Sequence, residues 1–134
     1  MERFSISMDD GLLAKFDRHL GAHGYSNRSE AVRDLVRKVL VDEEWNAGEE
    51  VVGVITLVFD HHQRQLQDKL TELQHDHHDI IISSTHVHLD HHNCLEVIIV
   101  RGVAGSVREL ADQLKATRGV KSSELTAAST GRRL

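Results

Sequence analysis

The chain of 134 residues contains no proline and one cysteine, Cys94. Without proline, no helix or strand is broken by a missing backbone donor. A lone thiol excludes an internal disulfide framework; in a reduced compartment it serves as a small buried side chain, a ligand or a nucleophile. No apolar run is long enough to span a bilayer, and no signal-peptide pattern opens the sequence, so a cytoplasmic protein without a membrane partner is expected. Positive charge is also scarce: the formal net charge is −5 with histidine neutral. That excludes nucleic-acid binding by bulk charge and would confine any DNA reader to a small local basic face. There is no nucleophile–base pair and no phosphate-binding glycine loop, so neither an enzyme nor a small-molecule substrate is expected. What is abundant is histidine: of eleven, all but His19 and His23 lie between His61 and His92.

Apolar periodicity divides the chain. Phe4, Ile6 and Met8 alternate with Arg3, Ser5 and Ser7, which predicts a short strand with one dry face. Asp9 or Asp10 can cap a helix carrying Leu12, Leu13, Phe16 and Leu20, stopped by Gly21 and Gly24. Asn27 and Glu30 form a capping-box pattern for a second helix bearing Val32, Leu35, Val36, Val39 and Leu40, which fades into an acidic linker from Asp42 to Glu50. Val51 to Phe59 is a continuous apolar run of the kind found in buried strands. Asp60 with Gln63 can cap a helix carrying Leu66, Leu70 and Leu73. Asp79 to Leu89 and Asn93 to Val103 read as strands joined by a short polar turn. Ser106 and Glu109 suit the cap of a last helix, ended by Gly119, and Val120 to Leu125 completes the pattern before a small, polar, frayed tail from Thr126.

The expected fold class is α+β, with two domains. Residues 1–47 read strand, helix, helix, too little to bury a core alone. Two chains that pair their strands and interlock their helices remove this difficulty, so an intertwined dimer is expected. Residues 51–134 read βαββαβ, a split-βαβ, ferredoxin-like arrangement.

In a paired ribbon, Arg3, Ser5 and Ser7 stand on the wet face, where a two-stranded ribbon fits the major groove. Asn27, Arg28 and Ser29 lie at a helix N-terminus, whose free N–H groups and dipole suit a DNA phosphate. The order of strand, capped helix, glycine turn and Asn27-Arg28-Ser29-Glu30-Ala31 resembles the ribbon-helix-helix family over residues ~2–44 and implies DNA as a partner.

The second half carries ligand chemistry. His86 and His88 leave one face of a predicted strand. If Cys94 sits opposite His88, the thiolate joins them, and Glu96 falls opposite His86, where it can orient a ligand; a one-residue slip would turn Cys94 away. A fourth ligand has several candidates: His75, His77 or His78 near the preceding helix's end, and His91 or His92 in the turn. Imidazole with thiolate suits Ni, Cu, Zn or Co, not Mg or Ca. His61 and His62 read as surface residues of a helix start, His77 and His78 as solvated, His91 and His92 as turn residues.

The segment Gln74-His75-Asp76-His77-His78-Asp79, followed by His86-Val87-His88 and Asn93-Cys94-Leu95-Glu96, resembles the nickel-responsive regulator family, as does the domain order. That resemblance implies an ACT-like regulatory domain and a homotetramer built as a dimer of dimers. It implies square-planar Ni(II), one per subunit, held by His86, His88 and Cys94 with His75 of a neighbouring subunit. It further implies Arg3, Ser5 and Ser7 as base readers, and Glu30 with Asp34 at a weaker cation site. The implied function is a repressor that binds palindromic operator DNA when metal-loaded and controls nickel uptake. The alternatives are an antitoxin-type ribbon-helix-helix protein, a regulator of Cu, Co or Zn, and a metal store.

Overall fold

A computed structural model describes residues 1–134. By its contacts the chain forms two compact units, Met1–Val39 and Leu40–Leu134.

In the first unit, residues 1–9 form neither helix nor strand. The strand expected from Arg3 to Met8 is therefore absent within one chain, because a strand exists only through a partner's hydrogen bonds. Helix α1 (Asp10–Ala22) is capped by Asp9, whose carboxylate accepts the N–H groups of Gly11 and Leu12 at 3.0 and 3.3 Å. Gly21 does not stop this helix but lies within it; the left-handed turn falls on Gly24, at φ 74°. Helix α2 (Arg28–Asn46) starts beyond Asn27, whose Oδ1 accepts the Glu30 N–H at 2.9 Å. Only this half of the expected capping box forms, since the Glu30 carboxylate is paired with Arg33 instead. The unit buries just two apolar residues, Leu20 and Ala31, while Phe4, Ile6, Leu12, Leu35, Val36 and Val39 stay exposed. A core of two residues cannot offset the entropy of ordering 39 residues.

The second unit begins inside α2. The acidic stretch expected as a linker is helical to Asn46, and the chain turns at Gly48, φ 71°. The cause is long-range. Trp45 is buried, its indole N–H donates to the Ala128 carbonyl at 2.8 Å, and the Arg108 guanidinium lies 5.4 Å from its ring centre. Ser129 Oγ donates to the buried Glu44 carboxylate at 2.8 Å. The tail expected to fray is thereby held, and its strand runs on to Ala128.

Four strands, β1 (Glu50–Asp60), β2 (Ile81–His88), β3 (Asn93–Val103) and β4 (Val120–Ala128), form one antiparallel sheet in the order β2-β3-β1-β4. With α3 (Arg64–Asp76) and α4 (Ala104–Ala116) this is the expected βαββαβ order. Both expected side-chain caps fail. The Asp60 carboxylate accepts the His62 N–H, at 2.9 Å, and α3 has Gln63 at its N-cap position without a side-chain bond. Helix α4 starts two residues before Ser106, directly from β3, with the Ala104 N–H donating to the Glu49 carbonyl at 3.0 Å.

Leu66 and Leu70 of α3 and Val107, Leu110, Ala111 and Leu114 of α4 pack against one face of the sheet, made by Val51, Ile55, Leu57, Phe59, Cys94, Ile98 and Val100. The other face is apolar but uncovered: Val52, Val54, Val58, Leu95 and Val97 are half-buried and Ile99 is exposed. Thus β1, expected to be buried on both sides, is buried at alternate residues only within one chain.

Candidate metal centre

The pairing of β2 with β3 sets the site. His88 lies opposite Cys94 and His86 opposite Glu96. Side chains alternate across a sheet, so Ser84, His86 and His88 leave the same face as Cys94, Glu96 and Ile98. That is the helix-covered face, but β2 is an edge strand, and both histidines are exposed at its rim.

Cys94 Sγ is buried, 3.7 Å from His86 Nδ1. His86 Nε2 lies 3.2 Å from Glu96 Oε1. A proton on Nε2 facing that carboxylate leaves the Nδ1 lone pair directed toward the sulfur side, which fits a metal ligand. Glu96 is 2% exposed, and its Oε1 also accepts from Ser84 Oγ at 2.7 Å and Gln74 Nε2 at 2.8 Å. These three donors satisfy a carboxylate that would otherwise be costly to bury. Sequence reading missed Gln74 and Ser84. Ser84 was detectable as the next residue on the His86 and His88 face; Gln74 was not, because its approach to Glu96 depends on how α3 packs. Burial pushes the Cys94 thiol above its ordinary range, the Glu96 charge adds to this, and a hydrogen bond from the Val87 N–H partly offsets it.

His88 packs edge-on against His61, ring centres 5.1 Å apart. Burial, followed by the neighbouring His62 and His88, holds His61 below the usual histidine range. His75 is exposed at the end of α3, its ring 6.0 Å from that of His78. One chain therefore brings Cys94, His86 and Glu96 into contact and sets His88 opposite Cys94, whereas His75 has none of them as a hydrogen-bond partner.

In the first unit, Arg3, Ser5 and Ser7 are exposed. Asn27 serves as the α2 cap, and Ser29 is free on the surface. The Arg28 guanidinium makes two bonds of 2.9 Å to the Asp17 carboxylate, an exposed ion pair. Glu30 is paired with Arg33, and Asp34 accepts from Tyr25 Oη at 2.9 Å and Arg37 at 3.1 Å. Both acids expected at a weaker cation site thus have partners on their own chain.

Comparison with known proteins decides the family. The family model described as "NikR C terminal nickel binding domain" matches residues 52–128. The chain belongs to the nickel-responsive regulator family. Residues 2–43 match a second family model, "Ribbon-helix-helix protein, copG family". Relatives named "Putative nickel-responsive regulator" include one from Desulfotalea psychrophila, 59% identical over 100% of this chain and 98% of its own. Another, from Geotalea uraniireducens, is 56% identical over 98% of this chain and 96% of its own. Nickel-responsive regulators with a ribbon-helix-helix domain are transcription regulators, not enzymes. A solved structure of an uncharacterised protein from Thermotoga maritima shares the fold over 59% of this chain and 98% of its own, with TM-score 0.54 at 14% identity. No helix of this family member is long and apolar enough to cross a membrane.

Proposed function

We propose that this protein is a nickel-responsive repressor that binds palindromic operator DNA when loaded with one Ni(II) per subunit and controls nickel uptake genes. His86, His88 and Cys94 of one subunit hold the metal with His75 of another, in a homotetramer built as a dimer of dimers. Residues 1–47 read DNA through Arg3, Ser5 and Ser7, supported at phosphates by Asn27, Arg28 and Ser29; residues 51–134 bind metal and assemble the tetramer. The observation that carries this reading is the pairing of His88 with Cys94 and His86 with Glu96, which turns two imidazoles and the only thiol toward one side of one sheet.

Bound nickel supplies a fixed link between donors of different subunits. The chain's own groups make that link selective. The thiolate favours a borderline ion over Mg or Ca, and Glu96 fixes the His86 ring. The uncovered apolar face of the sheet and the two-residue core of the first unit both support assembly with further copies. Metal acts on DNA binding to the extent that it binds the DNA-competent arrangement more tightly, about 1–3 kcal/mol in typical coupled systems.

The test is a gel-shift on the promoter of this gene and its neighbours, with Ni, Cu, Zn and Co compared. Retardation that requires nickel is expected. Retardation independent of every metal would favour the antitoxin-type reading. A variant probes the buried support: Glu96→Gln keeps the shape but removes the charge that orients His86. Its nickel affinity, read by competition with a chelator, is expected to fall about 10–100-fold while the fold persists.

A further inference from the structure

Outside the Cys94 centre, one group of potential ligands converges within a single chain. Asp60, His62 and His92 each offer a ligand atom, and these atoms all lie within 4.8 Å of one another. We propose that these three residues form a second site, for a borderline divalent transition-metal ion, sharing no ligand with the His86, His88 and Cys94 centre.

The scaffold is set by backbone bonds, not by the side chains themselves. Asp60 ends β1 opposite Asn93. One residue on, the His61 N–H donates to the His92 carbonyl at 3.1 Å, tying the start of the β1–α3 connection to the β2–β3 turn. That turn is held by Asp90, whose Oδ1 accepts the N–H groups of His92 at 2.8 Å and Asn93 at 2.7 Å. Lys121 of β4 donates to Asn93 Oδ1 at 2.6 Å from the other side. Two chain segments thirty residues apart are thereby fixed, while the rings they carry remain exposed and free to close on an ion.

Closure is short. His62 Nδ1 is 3.3 Å from Asp60 Oδ1, and the rings of His62 and His92 are 5.4 Å apart between centres. Imidazole and carboxylate ligands sit about 2.0–2.2 Å from such an ion, which places neighbouring donors roughly 3–4 Å apart. Side-chain rotation of about an ångström suffices. His91, with its ring centre 5.2 Å from that of His62, is a further imidazole beside the group. Two imidazoles and one carboxylate suit Zn, Co or Ni over Mg and Ca, which take all-oxygen shells. Three protein ligands leave the remaining positions to water, so this is an open, exchangeable site. Read from sequence, these histidines are merely solvated ends of a helix and a turn; the strand pairing of β1 with β3 is what brings them together.

The experiment is a Ni(II) titration of the full-length protein followed by native mass spectrometry, with absorbance recorded in parallel. Three proteins are compared: wild type, the H62A/H92A double variant and C94A. The double variant is expected to bind one metal per chain fewer than wild type while keeping the thiolate-to-nickel absorption band. C94A is expected to lose that band but retain the metal that the double variant lacks. Equal stoichiometry for the double variant and wild type would overturn the second site. Loss of the band in the double variant would show one shared centre and overturn it too. Absence of the band from the nickel-loaded wild type would count against the proposed function alone, because Cys94 is the only thiol, so the two failures are distinguishable.

Discussion

Replacing Cys94 with alanine is expected to lower nickel affinity by about 100-fold or more and to abolish nickel-dependent retardation of operator DNA. The figure starts from the ~10–100-fold cost of removing an outer-shell partner, and a direct ligand should cost no less. The chain has no second thiol to take its place. Imidazole is neutral as a ligand, so the thiolate supplies the anionic charge among the proposed protein donors. The variant should stay folded, because Cys94 occupies little volume in a core dominated by Phe59, Ile55, Leu57 and Leu110. Unchanged far-UV circular dichroism alongside loss of the sulfur-to-nickel band would separate ligand loss from unfolding. Nickel-dependent operator binding by this variant would refute the scheme. A pH dependence follows with a definite sign. Burial raises the thiol's pKa, so the free protein keeps its proton, and metal binding must expel it. Nickel affinity should therefore rise with pH, by up to about tenfold per unit while the thiol is protonated in the free chain.

The second large effect is expected at the amino-terminal segment. Phe4, Ile6 and Met8 are 76%, 61% and 38% exposed within one chain. They alternate with Arg3, Ser5 and Ser7, so a strand made by pairing two copies buries one set and presents the other. Ile6 is the middle residue of the apolar set. Ile6→Asp would place a carboxylate in that interface without a partner, at a cost of about 3 kcal/mol or more, or roughly 100-fold in association. The expected results are loss of DNA retardation and loss of hydrogen-exchange protection at the amides of residues 3–8. Ser5→Ala, on the opposite face, should leave that protection intact while weakening DNA binding. An Ile6→Asp protein that keeps protected amides and binds operator normally would rule out the paired ribbon.

The successes and failures of sequence reading divide by range. Asn93–Val103 has the expected bounds, and its register against Ile81–His88 places His88 at Cys94 and His86 at Glu96, the one of two registers left open by sequence that joins the thiol to the histidines. A tight hairpin restricts register, and alternation of faces does the rest. The helix ends were less legible. Nothing local extends α2 through an acidic run to Asn46; Trp45 does so by reaching Ala128, far along the chain. The capping pattern at Ser106 and Glu109 was genuine as chemistry but lost to the tight passage from β3 into α4. The pairing of Arg28 with Asp17, on a different helix, was likewise not legible in any local pattern.

By itself the sequence determined the order of elements from α1 onward, the shared face of His86 and His88 and the presence of a nitrogen-and-sulfur donor set on the β2–β3 hairpin. It could do so because period-two and period-3.6 patterns, and a hairpin's register, are properties of neighbours along the chain. Tertiary structure alone decided that Gln74 reaches Glu96, that Trp45 anchors the end of α2, and that Asp60, His62 and His92 share one corner. Each of these is a contact between segments far apart in sequence, set by packing whose energy no local pattern encodes.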